Sequence, residues 1–235
     1  TFVGSVRCVS ETDMVPVITI DGPSGSGKGT IAARVAQKLG FRTLDSGALY
    51  RLVGHAVSKA AVSLDDLETI SQIARNLDVE FRTGQVLLDG EDVSKAIRSE
   101  TAGNMASKVA AIPQVRAALL DWQKAYAGPP GLVADGRDMG TVVFPDAQVK
   151  IFLTASAEER AMRRYKQLKE KEIDANLADL TAEIEERDAR DRNRSVAPLR
   201  PAVGAIEIDS TGLGIDEVVL RVLNLATKVW PDLAV

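Results

Sequence analysis

Residues 22–30 are the stretch best suited to chemistry, because four glycines there surround Lys28. The stretch follows a β-branched run, 17–20, that predicts a buried strand, and it precedes a helical apolar pattern over 31–39. Glycines allow successive backbone N–H groups to turn towards one anion, and a lysine adds a full positive charge. The N-terminus of the following helix would add a partial positive charge. Strand, glycine loop and helix in this order therefore predict a phosphate-binding loop.

The spacing within this loop departs by one place from the general form of the motif. Lys28 is followed by Gly29, so the hydroxyl that could contact a metal ion is on Thr30. One alternative is a glycine turn that joins strand to helix and binds nothing. The other is a dinucleotide-binding loop, but such a loop carries no lysine, and the acidic residue that should follow it by about twenty positions is not clearly present in this sequence. We expect Lys28 to be exposed on the loop rather than buried. The residues expected to bind the phosphates are Gly22, Pro23, Ser24, Gly25, Ser26, Gly27, Lys28, Gly29 and Thr30.

Charged residues also stand where two other predicted strands end. The apolar strand 132–134 stops at Asp135, Arg137 and Asp138, which suit a crevice better than a core. Asp135 is placed like the acid that helps to hold magnesium in proteins with such a loop, directly or through water. Arg51 lies near the start of a helix after the predicted strand 41–44, so it is a candidate phosphate ligand.

A third group of cations lies near the C-terminal end of the chain. Arg187, Arg190 and Arg194 are three and four residues apart and so share a face of a helix. Like charges on one face repel each other unless an anion lies between them, and a triphosphate would supply it. Arg116 has a related requirement: it lies in the first turn of a helix that begins at Pro113, where the helix dipole disfavours a cation, so it needs an anionic or acceptor partner elsewhere.

The elements that must position these groups predict an α/β fold. Five short apolar runs separated by helical patterns predict a five-stranded parallel sheet with helices on both faces. Residues 61–112 interrupt this order with a helix from about 63 to 76 and a β-hairpin around Thr83 and Gly84, which we interpret as a small inserted antiparallel lobe. The predicted strands of the main sheet are 17–20, 42–44, 132–134, 148–153 and 205–208.

Composition limits the partners. The chain has 235 residues and a net charge of −4, which argues against a general nucleic-acid binder. The chain has one cysteine, Cys8, and one histidine, His55, so it can form no internal disulfide and no metal site built from several Cys or His residues. No apolar run approaches the length of a membrane span, and no secretory signal is visible, so we expect a cytoplasmic protein, monomeric and without membrane or nucleic-acid partners. Residues 1–13 lack periodicity and are expected to be a disordered tail before a natural start at Met14, with an edge strand over 2–9 as the alternative.

Four stretches, in this order along the chain, resemble the bacterial cytidylate kinases, which are nucleoside monophosphate kinases. They are residues 22–30, 45–51, 134–146 and 187–194, and the resemblance extends over about 15–230. It implies a P-loop NTPase core, an inserted acceptor-binding lobe, a mobile helical lid, and transfer of the γ-phosphoryl group of ATP, with Mg²⁺, to CMP or dCMP. The implied boundaries are a core of 14–45, 99–157 and 195–235, an insert of 46–98 and a lid of 158–194.

The same resemblance implies a role for individual residues. Lys28, Arg137, Arg187, Arg190 and Arg194 would be catalytic, and Thr30 and Asp135 would hold the metal. The acceptor would be bound at its phosphate by Arg51, Arg137 and Arg187, at its base by Ser107, Arg116 and Asp138, at its sugar by Asp191, and also by Ser46 in the stretch 45–51.

Other classes of phosphate-binding protein fit less well. A regulatory GTPase should carry an Asn-Lys-x-Asp motif, and the sequence has none. A mechanical or transport ATPase would usually be larger. A kinase that acts on UMP or on a non-nucleotide alcohol such as shikimate remains the alternative, and the acceptor that stimulates ATP turnover distinguishes it.

Overall fold

The computed structural model describes residues 15–82, 85–170 and 172–233. The predictions for the tail, for Met14 and for the turn residues Thr83 and Gly84 fall outside these ranges. Across the described part of the chain, none of the helices has the length and apolar character needed to span a membrane.

A five-stranded parallel sheet forms the centre of the molecule, as predicted, with the strand order β2-β6-β1-β7-β8. All five residues of β1 and all five of β6 are buried, as expected for central strands covered on both faces. The strands are Val17–Asp21 (β1), Arg42–Asp45 (β2), Leu132–Gly136 (β6), Val149–Thr154 (β7) and Ile206–Asp209 (β8). Each thus continues one or two residues beyond its predicted end.

The register of the sheet brings the chemically interesting residues to one edge. Asp21 lies beside Gly136, and Asp45 lies beside Asp135, at the carboxyl ends of three neighbouring strands. Because β6 continues to Gly136, Asp135 is a strand residue and does not begin a loop as expected. The crevice of a doubly wound sheet lies at this edge.

Helices cover both faces of the sheet and bury two separate apolar clusters. On one face, Val35 and Val222 of two helices pack with Ile18 and Ile20 of β1. On the other face, residues such as Leu52, Val109 and Leu119 pack with Leu132 of β6. The helices are Lys28–Leu39 (α1), Ser46–Lys59 (α2), Leu67–Arg75 (α3), Glu100–Val109 (α4), Pro113–Ala125 (α5), Ala157–Lys169 (α6), Leu177–Arg192 (α7) and Ile215–Val229 (α8).

Helix caps account for two of the observed boundaries. The carboxylate of Asp45 accepts a hydrogen bond from the Ala48 backbone N–H at 2.9 Å, so α2 begins at Ser46. Asp66 caps the next helix in the same way, so α3 begins at Leu67 and not near Ser63 as predicted.

The predicted antiparallel lobe is present as a small three-stranded sheet in the order β3-β4-β5. Val79–Arg82 (β3) pairs with Gln85–Leu88 (β4), which pairs with Glu91–Asp92 (β5) after a turn at residues 89–90. The α/β class with a small antiparallel insert is therefore confirmed. The boundaries of insert and lid remain predictions.

Candidate functional site

The glycine loop between β1 and α1 has a backbone conformation that favours glycine at three positions, Gly22, Gly25 and Gly27. At Gly22, a Cβ atom would lie 2.0 Å from the carbonyl oxygen of Leu153 on β7. Gly27 has a φ of 89° as the N-cap of α1. Six of the nine predicted phosphate-binding residues line one cavity: Ser24, Gly25, Gly27, Lys28, Gly29 and Thr30.

Lys28 is buried, which corrects the expectation that it is exposed. Only 9% of it is accessible, and its Nζ donates a hydrogen bond to the carbonyl oxygen of Pro23 at 3.0 Å. Burial lowers the pKa of Lys28, and the nearby Arg137 lowers it further. The loop therefore folds around the ammonium group and fixes its direction, since Lys28 begins α1 and its side chain turns back along the loop.

Asp135 and Thr30 line the same cavity beside the glycine loop and fit a magnesium ion that takes most of its ligands from phosphates and water. A Cβ on Gly29 would lie 3.8 Å from Oδ2 of Asp135, so this carboxylate is close to the loop. Burial, and then the neighbouring Asp45, raise the pKa of Asp135, and a divalent cation would favour its ionised form. Among the described residues, no group of three or more acidic, His or Cys side chains is arranged so that it could hold a metal ion.

A cavity of about 260 Å³ extends from this loop to α4, α5 and α7. Six cationic side chains and four carboxylates line it, so the positive charges are in excess. The cations are Lys28, Arg51, Arg116, Arg137, Arg187 and Arg194, and the carboxylates are those of Asp45, Asp135, Asp138 and Asp191. This balance suits an anionic ligand that also offers hydrogen-bond donors to carboxylates.

Arg116 and Asp138 form a buried ion pair at the far end of the cavity, where they are 8% and 2% exposed. Arg116 also donates to the carbonyl oxygen of Ala110 at 3.2 Å and lies over the ring of Tyr50, 5.5 Å from its centroid. The predicted need of Arg116 for an acceptor is thus confirmed.

The loop that carries Asp138 is held to β1 by Asp21. Both carboxylate oxygens of Asp21 accept backbone hydrogen bonds at 2.8 Å, one from Met139 and one from Gly140. These bonds lie at the start of the single π-helical turn Met139–Val143 that follows Asp138. The end of β6 and the glycine loop are therefore connected through one buried side chain.

Asp191 on α7 is the centre of a second buried network. It accepts hydrogen bonds from the Ser107 hydroxyl at 3.0 Å and from Nε of Arg137 at 2.8 Å, and it pairs with Arg194 at 2.9 Å. Burial alone would raise the pKa of Asp191, but Arg137 and Arg194 outweigh it and lower the pKa to about 2. Asp191 is thus an anion of the chain itself between Arg137 and Arg194, whereas a phosphate between Arg187, Arg190 and Arg194 stays a prediction. Because α7 ends at Arg192, Arg194 follows the helix and does not share its face with Arg187 and Arg190 as expected.

The remaining predicted acceptor residues occupy different positions. Ser46 is buried at the start of α2, and the half-buried Arg51 donates to the carbonyl oxygen of Ile97 at 2.9 Å; both line the cavity with Arg187. Arg190 pairs with the exposed Glu186 at 2.9 Å, and the described residues that line the cavity do not include it. Its catalytic role stays a prediction.

Three residues with polar side chains that line or support the site were not predicted as site residues from the sequence: Asp45, Tyr50 and Arg160. Tyr50 lines the cavity next to Arg51, and Asp45, the residue that caps α2, lines it as well. Arg160 of α6 is buried against the glycine loop, although it occurs in a charge-rich helix that resembles a solvated surface. Of these three residues, only Tyr50 could have been suspected from the sequence, because it directly precedes the candidate phosphate ligand Arg51.

A second cavity, of about 490 Å³, adjoins the other side of the glycine loop. It is bordered by α6, by the segment around Ser210 and Leu213 after β8, and by the start of α8. The two cavities share Gly25, Gly27 and Thr30. The glycine loop therefore lies where the two cavities meet.

Comparison with known proteins gives a consistent result. The chain matches the family model described as "Cytidylate kinase" over residues 18–228. A protein named cytidylate kinase from Stutzerimonas stutzeri (strain A1501) is 62% identical over 216 residues, which are 89% of this chain and 94% of that protein. A protein of the same name from Aeromonas hydrophila subsp. hydrophila is 56% identical over 225 residues, which are 94% of this chain and 98% of that protein. Among solved structures, a gluconokinase from Sinorhizobium meliloti 1021 covers 93% of this chain and 95% of its own at a TM-score of 0.45 and 15% identity, a similarity too low to bear on activity.

Proposed function

The chain belongs to the cytidylate kinase family, and we propose that it carries out the family's reaction in the two cavities that meet at the glycine loop. The reaction transfers the γ-phosphoryl group of ATP to CMP or dCMP and gives ADP with CDP or dCDP. It needs a donor and an acceptor bound at once, with their phosphates facing each other.

The shared border of the two cavities is the observation that carries this proposal. A donor nucleoside in the larger cavity would extend its phosphates over Gly25, Gly27 and Thr30, and the acceptor in the smaller one would meet them there. Phosphoryl transfer depends mainly on such positioning and on neutralising charge. No general base is required, because the acceptor phosphate is already an anion.

Donor phosphates would be bound mainly by backbone N–H groups of the loop and by the N-terminus of α1. Lys28 would reach the β- and γ-phosphates, and the carbonyl oxygen of Pro23 keeps its Nζ in place. A phosphate nearby would favour the charged ammonium form, which burial alone disfavours.

Thr30 and Asp135 would hold magnesium, directly or through water. When bound, the ion would neutralise negative charge on the donor phosphates. Magnesium itself is an expectation from the family and from the fit of these two residues.

The acceptor phosphate would be bound by Arg51, Arg137 and Arg187, which line the smaller cavity from α2, from the end of β6 and from α7. Arg137 already has its Nε held by Asp191, so its remaining N–H groups keep a defined direction. Guanidinium groups match phosphate with paired hydrogen bonds, which favours in-line geometry.

The cytosine base would be bound by Ser107, Arg116 and Asp138. Cytosine offers an exocyclic amine as a donor beside ring acceptors, and a carboxylate paired with an arginine is complementary to that edge. Uracil reverses this pattern and would leave buried groups of the protein unpaired. Burial of Arg116 and Asp138 makes such a mismatch costly.

Asp191 would bind the acceptor sugar, and Arg190 and Arg194 would add charge on the lid side of the phosphates. Closure of α6 and α7 over the phosphates would exclude water and so suppress hydrolysis of ATP. The expected monomeric state, the cytoplasmic location and the absence of nucleic-acid partners remain predictions from the sequence.

An acceptor panel tests the proposed function. ATP consumption with Mg²⁺ is measured by coupled ADP release in the presence of CMP, dCMP, UMP or shikimate. We expect CMP or dCMP to give the highest kcat/KM and shikimate to give no turnover above the background without acceptor. A preference for UMP or shikimate would contradict the proposal.

A further inference from the structure

The guanidinium group of Arg160 is buried and makes five hydrogen bonds, of which the longest runs from its Nε to the carbonyl oxygen of Ser156 at 3.3 Å. Its Nε donates to the carbonyl oxygen of Ala155 at 2.9 Å, and its Nη1 donates to the carbonyl oxygen of Ser24 at 2.9 Å. Nη1 and Nη2 donate to the two carboxylate oxygens of Asp188 at 3.1 and 2.6 Å. Arg160 is 3% exposed and Asp188 is 4% exposed, so this paired arrangement lies out of water.

These bonds join three elements that carry different parts of the site. Ser24 belongs to the glycine loop, Ala155 directly follows β7, and Asp188 lies on α7. Packing between loop and helix α6 is close, because a Cβ on Gly25 would lie 3.3 Å from Cβ of Arg160. A change in the conformation of the glycine loop would therefore displace the Arg160 side chain.

Asp188 is also next to the acceptor side of the site. Arg187 precedes it by one residue and Asp191 follows it by three residues on the same helix, and both line the smaller cavity. Because a helix moves nearly as a rigid body, fixing Asp188 fixes the direction from which these two side chains approach the acceptor.

Stability alone is a weak reason for such a pair. Buried ion pairs can often be replaced by apolar residues of similar size without loss of stability, since desolvation offsets the attraction. What a paired guanidinium–carboxylate contact supplies is a defined mutual orientation. A defined orientation is useful here because the pair sets how α7 packs against the glycine loop.

We propose that Arg160 and Asp188 are positioning residues that couple donor binding to acceptor binding. ATP bound by the glycine loop stabilises the position of Ser24 and Arg160, and Arg160 then holds α7 with Arg187 and Asp191 directed at CMP. The inference rests on the proposed acceptor roles of Arg187 and Asp191.

The test compares the affinity for CMP with and without a non-hydrolysable ATP analogue and Mg²⁺, by isothermal titration calorimetry. We expect the analogue to tighten CMP binding to the wild-type chain by about five- to fiftyfold, a usual size for coupling between sites. Asp188→Asn should bring that factor close to one and lower kcat, while the affinity for the analogue alone changes less than about twofold, because the loop itself still binds it.

Two further variants separate positioning from stability. Arg160→Lys keeps the charge but cannot make the paired contact, so it should lose the coupling too. The double variant should lose no more than either single one, because both remove the same contact. Asp174→Asn is the matched control: it removes an ion pair with Lys169 in the same helical hairpin, but Asp174 is fully exposed, so coupling should stay at the wild-type value.

Wild-type coupling in Asp188→Asn or Arg160→Lys would overturn the inference, as would a wild-type chain in which the analogue does not affect CMP binding. Equal weakening of both nucleotides together with a lower melting temperature would show a structural role only and would also overturn it. Turnover of CMP by the wild-type chain is measured separately, so a failure of the proposed function is distinguished from a failure of this inference.

Discussion

The glycine loop and the acceptor cavity are built in different ways. Residues 22–30 form one continuous stretch, for which we propose binding of the donor phosphates through backbone groups and a single lysine. The acceptor cavity takes its functional side chains from α2, α4, α5, the end of β6, α7 and the residues just after α7, so they are up to 148 positions apart, from Ser46 to Arg194. The first site depends on local conformation, whereas the second depends on the correct packing of the whole domain.

This difference changes what a substitution does on each side. A residue of the loop would act directly on the donor phosphates, so its loss should affect turnover with little effect on the fold. Residues of the acceptor cavity hold each other through buried ion pairs, such as Arg116 with Asp138, so their loss should alter specificity and stability together.

Lys28→Met should have the largest effect and should act on chemistry alone. We expect kcat to fall by at least about a hundredfold, as for the loss of one charge-stabilising donor. The melting temperature should not fall, because burial already disfavours the ammonium group and methionine fills a similar space. Coupled ADP release and thermal unfolding check both parts, with the exposed Lys38→Met at the end of α1 as the control. Near-normal activity would contradict the assignment of the loop.

Asp138→Asn should change the preference between two acceptors. A carboxylate can only accept hydrogen bonds, which suits the cytosine amine, whereas an amide can also donate to the uracil carbonyl. The kcat/KM for CMP should therefore fall more than that for UMP, by roughly 1–3 kcal/mol in transition-state free energy. Asp121→Asn on the exposed face of α5 is the control. Equal losses for both substrates would show that Asp138 holds Arg116 or the loop and does not read the base.

Asp191 should make stability depend on pH. Its pKa is about 2 in the folded chain against an ordinary value of 3.8, so its ionised form stabilises the fold above pH 3.8 and this contribution is lost as the pH falls towards 2. Asp191→Asn should lower the free energy of unfolding by roughly 2 kcal/mol at pH 7, and the difference from wild type should shrink below pH 4. Urea denaturation across this range measures it, with the exposed Asp179→Asn as the control. A difference that stays constant down to pH 2 would contradict the role of the arginines around Asp191.

Arg190→Ala should have the smallest effect on activity. This arginine pairs with Glu186 and is not among the described residues that line the acceptor cavity, so its proposed action on the phosphates requires the proposed lid closure. We therefore expect kcat to fall by about tenfold with little change in the KM for CMP. Arg192→Ala, on an exposed part of the same helix, should leave both constants unchanged. A raised KM with an unchanged kcat would place Arg190 on the acceptor instead.

The same contrast explains how much could be predicted from the sequence. The glycine loop, the parallel sheet and the arginines near strand ends were predictable, because local spacing and strand direction determine them. The position of Asp191 between two arginines and the contact of Arg160 with Asp188 were not, since they depend on residues distant in sequence. The burial of Lys28 was not predictable either, because it depends on how the loop folds back to place the Pro23 carbonyl oxygen at its Nζ. Charge-rich helices such as α6 look solvated until their tertiary partners are known.

The central claim is that the acceptor cavity recognises cytosine through Asp138 and Arg116 and its phosphate through arginines of three elements. A crystal structure of the chain with CMP bound tests this most directly. We predict the cytosine amine within about 3 Å of the Asp138 carboxylate, a normal hydrogen-bond distance, and the phosphate beside Arg51, Arg137 and Arg187. A cytosine bound away from Asp138, or a phosphate bound away from these arginines, would contradict the account.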